Sequence, residues 1–369
     1  MAHLQNDLVL CDESILASSA QSKPYDLSLH LSAQPLPATT TPEERGLERD
    51  AVRLLVLHKS TGKTQHVRFH KMADYLDPGD VVVVNTSRTL PASLPATNIV
   101  TGEPLRIHVA LRMTPRTFVV ERRTVAGEAD TRLFETGEQL LIGGTRATVI
   151  GRFHPDSRLW YVETNDNLWR VAEQLGQPIR YGYLQSKPEI EAYQTVFAQH
   201  PGSAEMPSAA RPFSDRVVEA LRQKGVVIAD ITLHTGVSSH EVTGPLARHP
   251  FLPEWFSVSE ATAQVVNRAN REGRRVIAAG TTVVRALAAA TDTERPVIEA
   301  KAGWTTIVIT PDNPVPTVTG LITGLHDDAT SHLAMLYAFV RPDWLRAAYE
   351  EAIARGYLWH EFGDSNLIL

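Results

Sequence analysis

Residues 259–290 read SEATAQVVNRANREGRRVIAAGTTVVRALAAA, and this stretch decides the fold. Its first part predicts a helix that Ser259 caps and Gly273 ends. The apolar run VIAA predicts a buried strand, and a second helix follows directly after Gly280. A helix, a strand and a helix joined by such short turns are typical of a mostly parallel sheet that is covered by helices.

The same alternation continues on both sides of this stretch. DRVVEALRQKG predicts a helix capped by Ser214, and VVIADITLH directly after it predicts a strand. Towards the C-terminus, TTIVIT (Thr305–Thr310) predicts a strand, and HLAMLYAFV and WLRAAYEEAIARG predict helices. Towards the N-terminus, RDAVRLLVLHKSTGKTQHVRF predicts a strand hairpin and Val81–Val84 a buried strand. The chain is therefore predicted to be an α/β protein.

One region breaks this pattern. From about Leu90 to Glu163, short strand-like runs alternate with Gly-rich turns and no helical period appears, which predicts a small antiparallel β-barrel. The sequence thus predicts three parts: a mobile N-terminal arm at 1–46, an α/β catalytic domain formed by 47–89 and 166–369, and an inserted β-barrel domain at 90–165.

Composition excludes several classes of protein. The 369 residues are 43% hydrophobic and 21% charged, which is ordinary for a globular protein. The single cysteine, Cys11, excludes an internal disulfide and fits a reducing, cytoplasmic setting. No apolar run approaches the roughly 18 residues of a membrane span, and the N-terminus does not resemble a secretory signal, so we expect no membrane partner. The net charge of −6 gives no support for nucleic-acid binding but leaves room for a local basic patch.

Candidate site residues follow the predicted strands, because ligands of open α/β sheets bind beyond the carboxyl ends of the strands. The strongest segment is AGTTVVRAL, which places backbone N–H groups and two hydroxyls at a helix N-terminus, a setting that suits an anion. Arg285 one turn later could add a bidentate contact; otherwise Thr281 only caps the helix and Arg285 is a surface residue. The candidates after the four strands are Asn85 and Arg88; His234; Gly280, Thr281, Thr282 and Arg285; and His326.

The remaining motifs leave alternatives open. His234 and His326 are either proton-transfer groups or strand-end histidines bonded to the backbone. Asp364 is either a site carboxylate or a turn former. The segment SAEMPSAARPFS (Ser203–Ser214) is an ordered loop across the site or a linker. No P-loop, GxSxG or HExxH pattern is present in the sequence, and we expect no metal.

Seven segments, in this order, resemble the S-adenosylmethionine:tRNA ribosyltransferase-isomerase family of queuosine biosynthesis. They span Arg49 to Leu369 and read RDAVRLLVL, LDPGDVVVVNTSRTLPASL, EAYQTVFAQHPGSAEMPSA, LRQKGVVIADITLHTG, GRRVIAAGTTVVRAL, TGLITGLHDDATSHLAMLYAF and ARGYLWHEFGDSNLIL. The resemblance implies an α/β fold with an inserted barrel. It also implies that S-adenosylmethionine is the ribosyl donor and that 7-aminomethyl-7-deazaguanine in tRNA is the acceptor, giving epoxyqueuosine, adenine and methionine.

The resemblance also implies roles for particular residues. A base must remove a C5′ proton that the sulfonium acidifies, and His234 or His326 could do so. Asp364 matches the family's YGDAM-like turn and is the third candidate catalytic residue. The residues expected to bind S-adenosylmethionine are Asn85 and Arg88 of the NTSR turn, Pro207 and Ser208 of the MPSAARPF loop, and Gly280, Thr281, Thr282 and Arg285.

The chain departs from the family pattern at several of these segments. Where the family usually has APTAGLHF, MPSAARPF puts Ala210 and Pro212 in place of a Gly and a His, and proline can neither donate nor accept a proton there. In the HxMHxE-like segment His249 and Glu254 are kept, but Leu252 replaces the second His. An Arg of the family's PARL is lost in PASL, and the GTF after TLH is lost as well.

Three functions follow as hypotheses: the tRNA reaction itself, transfer of the ribosyl group to a small acceptor or cleavage of the donor without tRNA, and a non-catalytic binding protein. The retained histidines, Thr281 and Thr282 argue against the last. tRNA needs basic side chains around the site. The candidates are Arg88, Arg106, Arg112, Arg116, Arg122, Arg123, Arg180 and Lys187, and otherwise these are ordinary solvated surface. The sequence does not predict an oligomeric state.

Overall fold

The structure is a computed structural model that describes residues 28–237, 252–292, 294–327 and 330–369. The first 27 residues of the predicted arm lie outside these ranges. The strands are β1 (Leu36–Pro37), β2 (Arg53–Leu57), β3 (Thr64–Arg68), β4 (Val81–Asn85), β5 (Ser87–Thr89), β6 (Ser93–Asn98), β7 (Pro104–Arg112), β8 (Thr117–Arg123), β9 (Gln139–Ile142), β10 (Thr145–Arg152), β11 (Leu159–Thr164), β12 (His200–Ser203), β13 (Val227–Leu233), β14 (Glu254–Val258), β15 (Val276–Ala279), β16 (Lys301–Thr305), β17 (Gly320–Gly324), β18 (Leu358–Trp359) and β19 (Ser365–Ile368).

The helices lie mostly in the second half of the chain. The α-helices are α1 (Leu168–Leu175), α2 (Asp215–Gln223), α3 (Glu260–Arg271), α4 (Thr281–Ala289), α5 (Ser331–Tyr337) and α6 (Pro342–Ala354). Short 3-10 helices cover Glu43–Arg45, Arg49–Ala51, Phe69–Tyr75, Ile190–Tyr193 and Ser208–Ala210. The side chains of Ser214 and Ser259 accept the Val217 and Thr262 amides, so both predicted caps are confirmed.

A nine-stranded sheet forms the body, in the order β16-β14-β13-β4-β15-β17-β19-β2-β3. Its centre, β13-β4-β15-β17, is parallel throughout, and antiparallel strands flank it on both sides. Along β4, Val81 and Val83 pack into the core beneath α3 to α6, whereas Val82 and Val84 pack into the core beneath α2 and the 3-10 helix Phe69–Tyr75. Both faces of the central strands are therefore buried, which explains their unbroken apolar runs.

A closed six-stranded antiparallel barrel, in the order β10-β11-β8-β7-β6-β9, is inserted between β5 and α1. It has its own apolar core, which includes Phe118, Val120 and Val162. The predicted fold class, an α/β sheet protein with an inserted antiparallel barrel, is confirmed.

Two local predictions were wrong. The strand predicted at Thr305–Thr310 lies at Lys301–Thr305 instead, because its partner β14 begins at Glu254, opposite Thr305, and the pairing ends there. Ile309 still enters the core, but from a loop. The part of the predicted mobile arm that is described is packed: β1 pairs with β18, and Leu29 is only 3% exposed in the core of the sheet.

Within the described ranges, every helix is too short or too polar to span a bilayer.

Candidate active site

The four parallel strands β13, β4, β15 and β17 all end at one edge of the sheet. Their ends bring Asn85, His234, the Gly280–Thr282 segment and His326 to that edge. We call it the carboxyl edge, and the other end of the same strands the amino edge. Neighbouring strands lie about 4.8 Å apart, so β13 and β17 are separated by roughly 14 Å. His234 and His326 therefore stand at two different ends of the candidate site.

Asn85 holds the middle of the carboxyl edge together. Its Nδ2 donates to the Leu233 carbonyl at 2.8 Å and to Thr282 Oγ1 at 3.3 Å. Its Oδ1 accepts the Leu233 and Ser87 amides, each at 3.0 Å. The side chain is fully buried and its hydrogen-bonding capacity is taken up by these contacts. Asn85 therefore positions β13, β5 and the start of α4 rather than offering a free group to a ligand.

His234 lies in a narrow slot. Its ring stacks on Trp255 with centroids 5.4 Å apart, and on the other side it lies against Gly202, where a Cβ would come within 2.6 Å of the ring. Its Nδ1 is 2.8 Å from Ser87 Oγ, which is itself 2.6 Å from Ser203 Oγ. Burial, helped by the nearby His200, lowers the pKa of His234 to about 4. The imidazole is thus fixed in place and neutral at neutral pH.

The first turn of α4 has backbone amides with no acceptor among the described residues. Gly280 precedes the helix with φ of 110°, a conformation that favours glycine, and a Cβ there would lie 3.3 Å from the Cβ of Ala209. This contact brings the loop containing Pro207 and Ser208 against the helix start. No carbonyl among the described residues accepts the amides of Thr281 and Thr282, as expected for the first turn of a helix.

Arg285 is not a free surface residue. Its Nε and Nη2 donate to the two carboxylate oxygens of Glu254 at 2.6 and 2.8 Å, and both side chains are mostly buried. Glu254 lies on β14 next to Trp255, close to the point where the amide of His234 donates to the Trp255 carbonyl. The pair therefore brings one positive and one negative group to the His234 end of the edge.

His326 occupies a different environment. Its Nε2 is 2.7 Å from Thr323 Oγ1, its ring stacks on His332 at 4.5 Å, and its carbonyl accepts the indole N–H of Trp359 at 3.1 Å. Burial and the neighbouring histidines hold the pKa of His326 well below its usual value. It too is neutral at neutral pH, with one ring nitrogen already bonded.

Next to His326 is a cluster that the sequence did not reveal. The ring of His360 stacks on Tyr183 at 4.5 Å, and the Tyr183 hydroxyl donates to the Glu361 carboxylate. Burial raises the pKa of Glu361. No signal in the sequence joins Tyr183 to Glu361, which lies 178 positions away. Over the part of the chain that is described, no group of His, Cys, Asp or Glu is arranged to hold a metal ion.

Two further predicted site residues are engaged elsewhere. Asp364 accepts the Arg53 amide at 2.6 Å and the Leu358 amide at 2.9 Å, so both of its oxygens close the turn before β19. The Arg88 guanidinium donates to Glu173 of α1 at 2.6 Å. Among the described residues, neither side chain forms a hydrogen bond or ion pair with His234, His326 or α4, so the structure does not bring them together with those groups.

The departures from the family pattern have structural consequences. Pro212 is buried next to Arg211, whose guanidinium bonds the Ala192 carbonyl at 3.0 Å and Glu43 at 2.8 Å. Leu252 packs on the barrel core and lies 3.2 Å from where a Cβ on Gly236 would be. These residues fill space between segments where the family pattern has an imidazole. His249 lies outside the described residues.

The predicted basic residues divide into two groups. Three are neutralised by acids: Arg88 by Glu173, Arg122 by Asp130 and Glu138, and Arg123 by Glu121. The other five form no ion pair with any described residue: Arg106, Arg112, Arg116, Arg180 and Lys187. Of these, Arg116, Arg180 and Lys187 are exposed. They are the members of the set best placed to meet phosphate.

Comparisons with known proteins agree on one family. A family model described as queuosine biosynthesis protein matches residues 24–368. An S-adenosylmethionine:tRNA ribosyltransferase-isomerase of Moorella thermoacetica is 35% identical over 87% of this chain and 94% of its own length. The protein of the same name from Carboxydothermus hydrogenoformans is 35% identical over 89% of this chain and 95% of its own length. A crystal structure of S-adenosylmethionine tRNA ribosyltransferase from Thermotoga maritima matches the fold with a TM-score of 0.51 and 24% identity, over 94% of this chain and 100% of that one.

Proposed function

Because the chain belongs to the queuosine biosynthesis protein family, we propose that it transfers the ribosyl group of S-adenosylmethionine to 7-aminomethyl-7-deazaguanine in tRNA and isomerises it. The products are epoxyqueuosine in the tRNA, adenine and methionine. The observation that carries this proposal is the match, over nearly the full length of both chains, to relatives that share one name. None of these relatives favours a small-molecule acceptor. A cytoplasmic location, where tRNA is modified, is part of the proposal.

The amino acid part of S-adenosylmethionine fits the His234 end of the carboxyl edge. It is a zwitterion, and the Arg285–Glu254 pair offers one charge of each sign. Arg285 would take the α-carboxylate and Glu254 the α-ammonium, so that the exchange keeps both side chains paired. The amides of Thr281 and Thr282 and the Thr281 hydroxyl, with Gly280, Pro207 and Ser208 beside them, would hold the ribose hydroxyls.

The reaction needs one proton removed and two atoms stabilised. A base takes a C5′ proton, and the ribose oxygen and adenine nitrogen gain electron density as their bonds to carbon break. His234 and His326 are both neutral, so neither adds to the positive charge of the sulfonium before reaction. We assign the base to one of these histidines, and Asp364 to holding the turn that supports β19.

tRNA would approach over the barrel side of the edge. The barrel segment 90–165 has nine arginines and eight acidic residues, whereas the whole chain has a net charge of −6. Long-range attraction is therefore expected to be weak, and contact falls to exposed cations such as Arg116.

The test is the release of adenine. Purified protein is incubated with S-adenosylmethionine alone, with tRNA that carries the aminomethyl deazaguanine, and with the same tRNA carrying guanine at that position. The proposal expects adenine and methionine only in the second tube, by mass spectrometry. Adenine released equally without tRNA would overturn the tRNA reaction and point to cleavage or a small acceptor.

A further inference from the structure

A series of three hydrogen bonds ends at Nδ1 of His234. The Thr235 amide donates to Ser203 Oγ at 2.9 Å, Ser203 Oγ is 2.6 Å from Ser87 Oγ, and Ser87 Oγ is 2.8 Å from His234 Nδ1. Ser87 and Ser203 are almost completely buried, at 1% and 0% exposure. An amide N–H can only donate, so the first bond has a fixed direction.

The fixed direction of this first bond determines the direction of the other two hydrogen bonds. Ser203 accepts from Thr235 and can pass its own proton to Ser87, which then passes its proton to His234 Nδ1; every hydroxyl donates once and accepts once. In the reverse direction, His234 Nδ1–H donates to Ser87 and Ser87 to Ser203, and the Ser203 proton then needs another acceptor. The described residues offer none within hydrogen-bond distance. A buried hydroxyl proton left without an acceptor is energetically costly, so the reverse direction is disfavoured.

We infer that Thr235, Ser203 and Ser87 fix His234 in the tautomer that carries its proton on Nε2, so that His234 offers a hydrogen-bond donor to the substrate and not a base. Nδ1 is occupied by the Ser87 proton, and Nε2 has no partner among the described residues. Ser87 and Ser203 are then positioning residues that act through the imidazole. The depressed pKa agrees with this assignment, since protonation of Nδ1 would break the bond from Ser87.

The inference rests on the proposed function for its chemical meaning. A neutral N–H donor stabilises an acceptor atom on which negative charge develops, and the ribosyl group has such an oxygen when its ring opens. The base at C5′ is then a different group from His234. Of the two roles that the sequence left open for His234, the inference selects the hydrogen-bond donor.

The surroundings of the ring support a fixed tautomer. Trp255 stacks on the ring, and Gly202 lies so close that a Cβ there would come within 2.6 Å of it, so the ring has little room to turn. Among the described residues, His200 of β12 lies close enough to disfavour a positive charge on His234, and the Arg285–Glu254 pair lies beside Trp255 with its two charges balanced.

Nitrogen-15 NMR of the full-length protein labelled at histidine measures the tautomer directly, without substrate. The His234 signals are assigned by their loss in His234→Gln. We expect Nδ1 to show the shift of an unprotonated acceptor and Nε2 that of an N–H nitrogen, with no titration from about pH 8 to about pH 5. Ser87→Ala and Ser203→Ala should move both signals towards the values of a mixed tautomer.

The control is Ser259→Ala, which removes the cap of α3 without touching the chain of serines and should leave the His234 signals unchanged. In activity, Ser87→Ala should lower kcat about tenfold or more with little change in KM. A proton on Nδ1 in the unaltered protein, or titration near the usual histidine value of 6.5, would overturn the inference. Since the spectra need no turnover, a protein that releases no adenine would contradict only the proposed function.

Discussion

The two edges of the same parallel strands carry similar residues that are used in different ways. At the amino edge, Asp80 accepts the Arg275 amide at 2.9 Å and its Nε at 2.8 Å, while Asp77 takes Arg275 Nη2 at 2.8 Å. At the carboxyl edge, the corresponding pair is Arg285 and Glu254. Each edge thus has an arginine bound by carboxylates.

The two edges differ in which hydrogen-bonding groups are left without a partner. At the amino edge Asp80 also accepts the Asp77 amide at 2.8 Å. The charged groups there are thus bonded to one another and to the backbone at the strand ends. At the carboxyl edge, Nε2 of His234 and the amides of Thr281 and Thr282 have no partner within the described ranges. The comparison teaches that hydrogen-bonding groups without a partner, next to a glycine-lined backbone, distinguish the edge that we propose to be reactive, and that charge as such does not.

The largest effect is expected when one histidine at each edge is replaced by alanine. His234→Ala removes a donor aimed at the reacting ribosyl group, and kcat/KM for S-adenosylmethionine should fall by about 10²–10³-fold. His58→Ala, in the turn after β2 at the opposite edge, should leave kcat/KM unchanged. Steady-state release of adenine with saturating tRNA measures both. Equal losses would mean that the edges do not differ in function.

Acid stability tests whether His234 is buried in its neutral form. Its folded pKa of about 4 lies below the unfolded value of about 6.5, so the unfolded chain binds the proton more readily. The associated stability is present above pH 6.5 and is lost as the pH falls towards 4, by up to about 3 kcal/mol. Urea unfolding at several pH values should therefore show a steeper acid loss for the unaltered protein than for His234→Gln. Parallel curves would show that burial does not lower the pKa of His234.

The two arginine pairs sharpen the comparison further. Arg285→Gln should raise the KM for S-adenosylmethionine about tenfold, because one charged contact to the zwitterion is lost. Arg275→Gln breaks the equivalent pair at the amino edge and should lower the thermal midpoint while KM stays the same. Initial rates and thermal unfolding on the same preparations separate the two effects. A KM change in Arg275→Gln would contradict the assignment of the edges.

The smallest effect concerns the barrel. Arg116 is exposed, so Arg116→Ala should weaken tRNA binding a few-fold and reduce the slope of log K against log salt by about one. Arg122 is only 6% exposed and is paired with Asp130 and Glu138. Arg122→Ala should therefore leave the salt slope unchanged and lower the stability of the protein instead. Filter binding over a salt series distinguishes them.

The sequence predicts the carboxyl edge through signals that are local in the chain. The run VIAA followed by Gly280 and Thr281 predicts both where a strand ends and where a helix begins. The caps at Ser214 and Ser259 are local in the same way, and both are confirmed. The inserted barrel was predictable because its strands are short and closely spaced.

The partners of the predicted residues were not predictable, because they lie far away along the chain. Ser203 meets Ser87 across 116 positions, and Asp364 meets Arg53 across 311. Without these contacts the sequence cannot show that Asp364 closes a turn. Nor can it show that Arg285 is already paired, since Glu254 belongs to a strand beyond the central four.

The most direct test of the account follows the ribosyl carbons. S-Adenosylmethionine labelled with carbon-13 in its ribose is incubated with the protein and tRNA that carries the aminomethyl deazaguanine, and the tRNA is digested to nucleosides for mass spectrometry. The account predicts that the label appears in the modified deazaguanine nucleoside while the released methionine and adenine stay unlabelled. Label found only in small molecules, with the tRNA nucleoside unchanged, would contradict it.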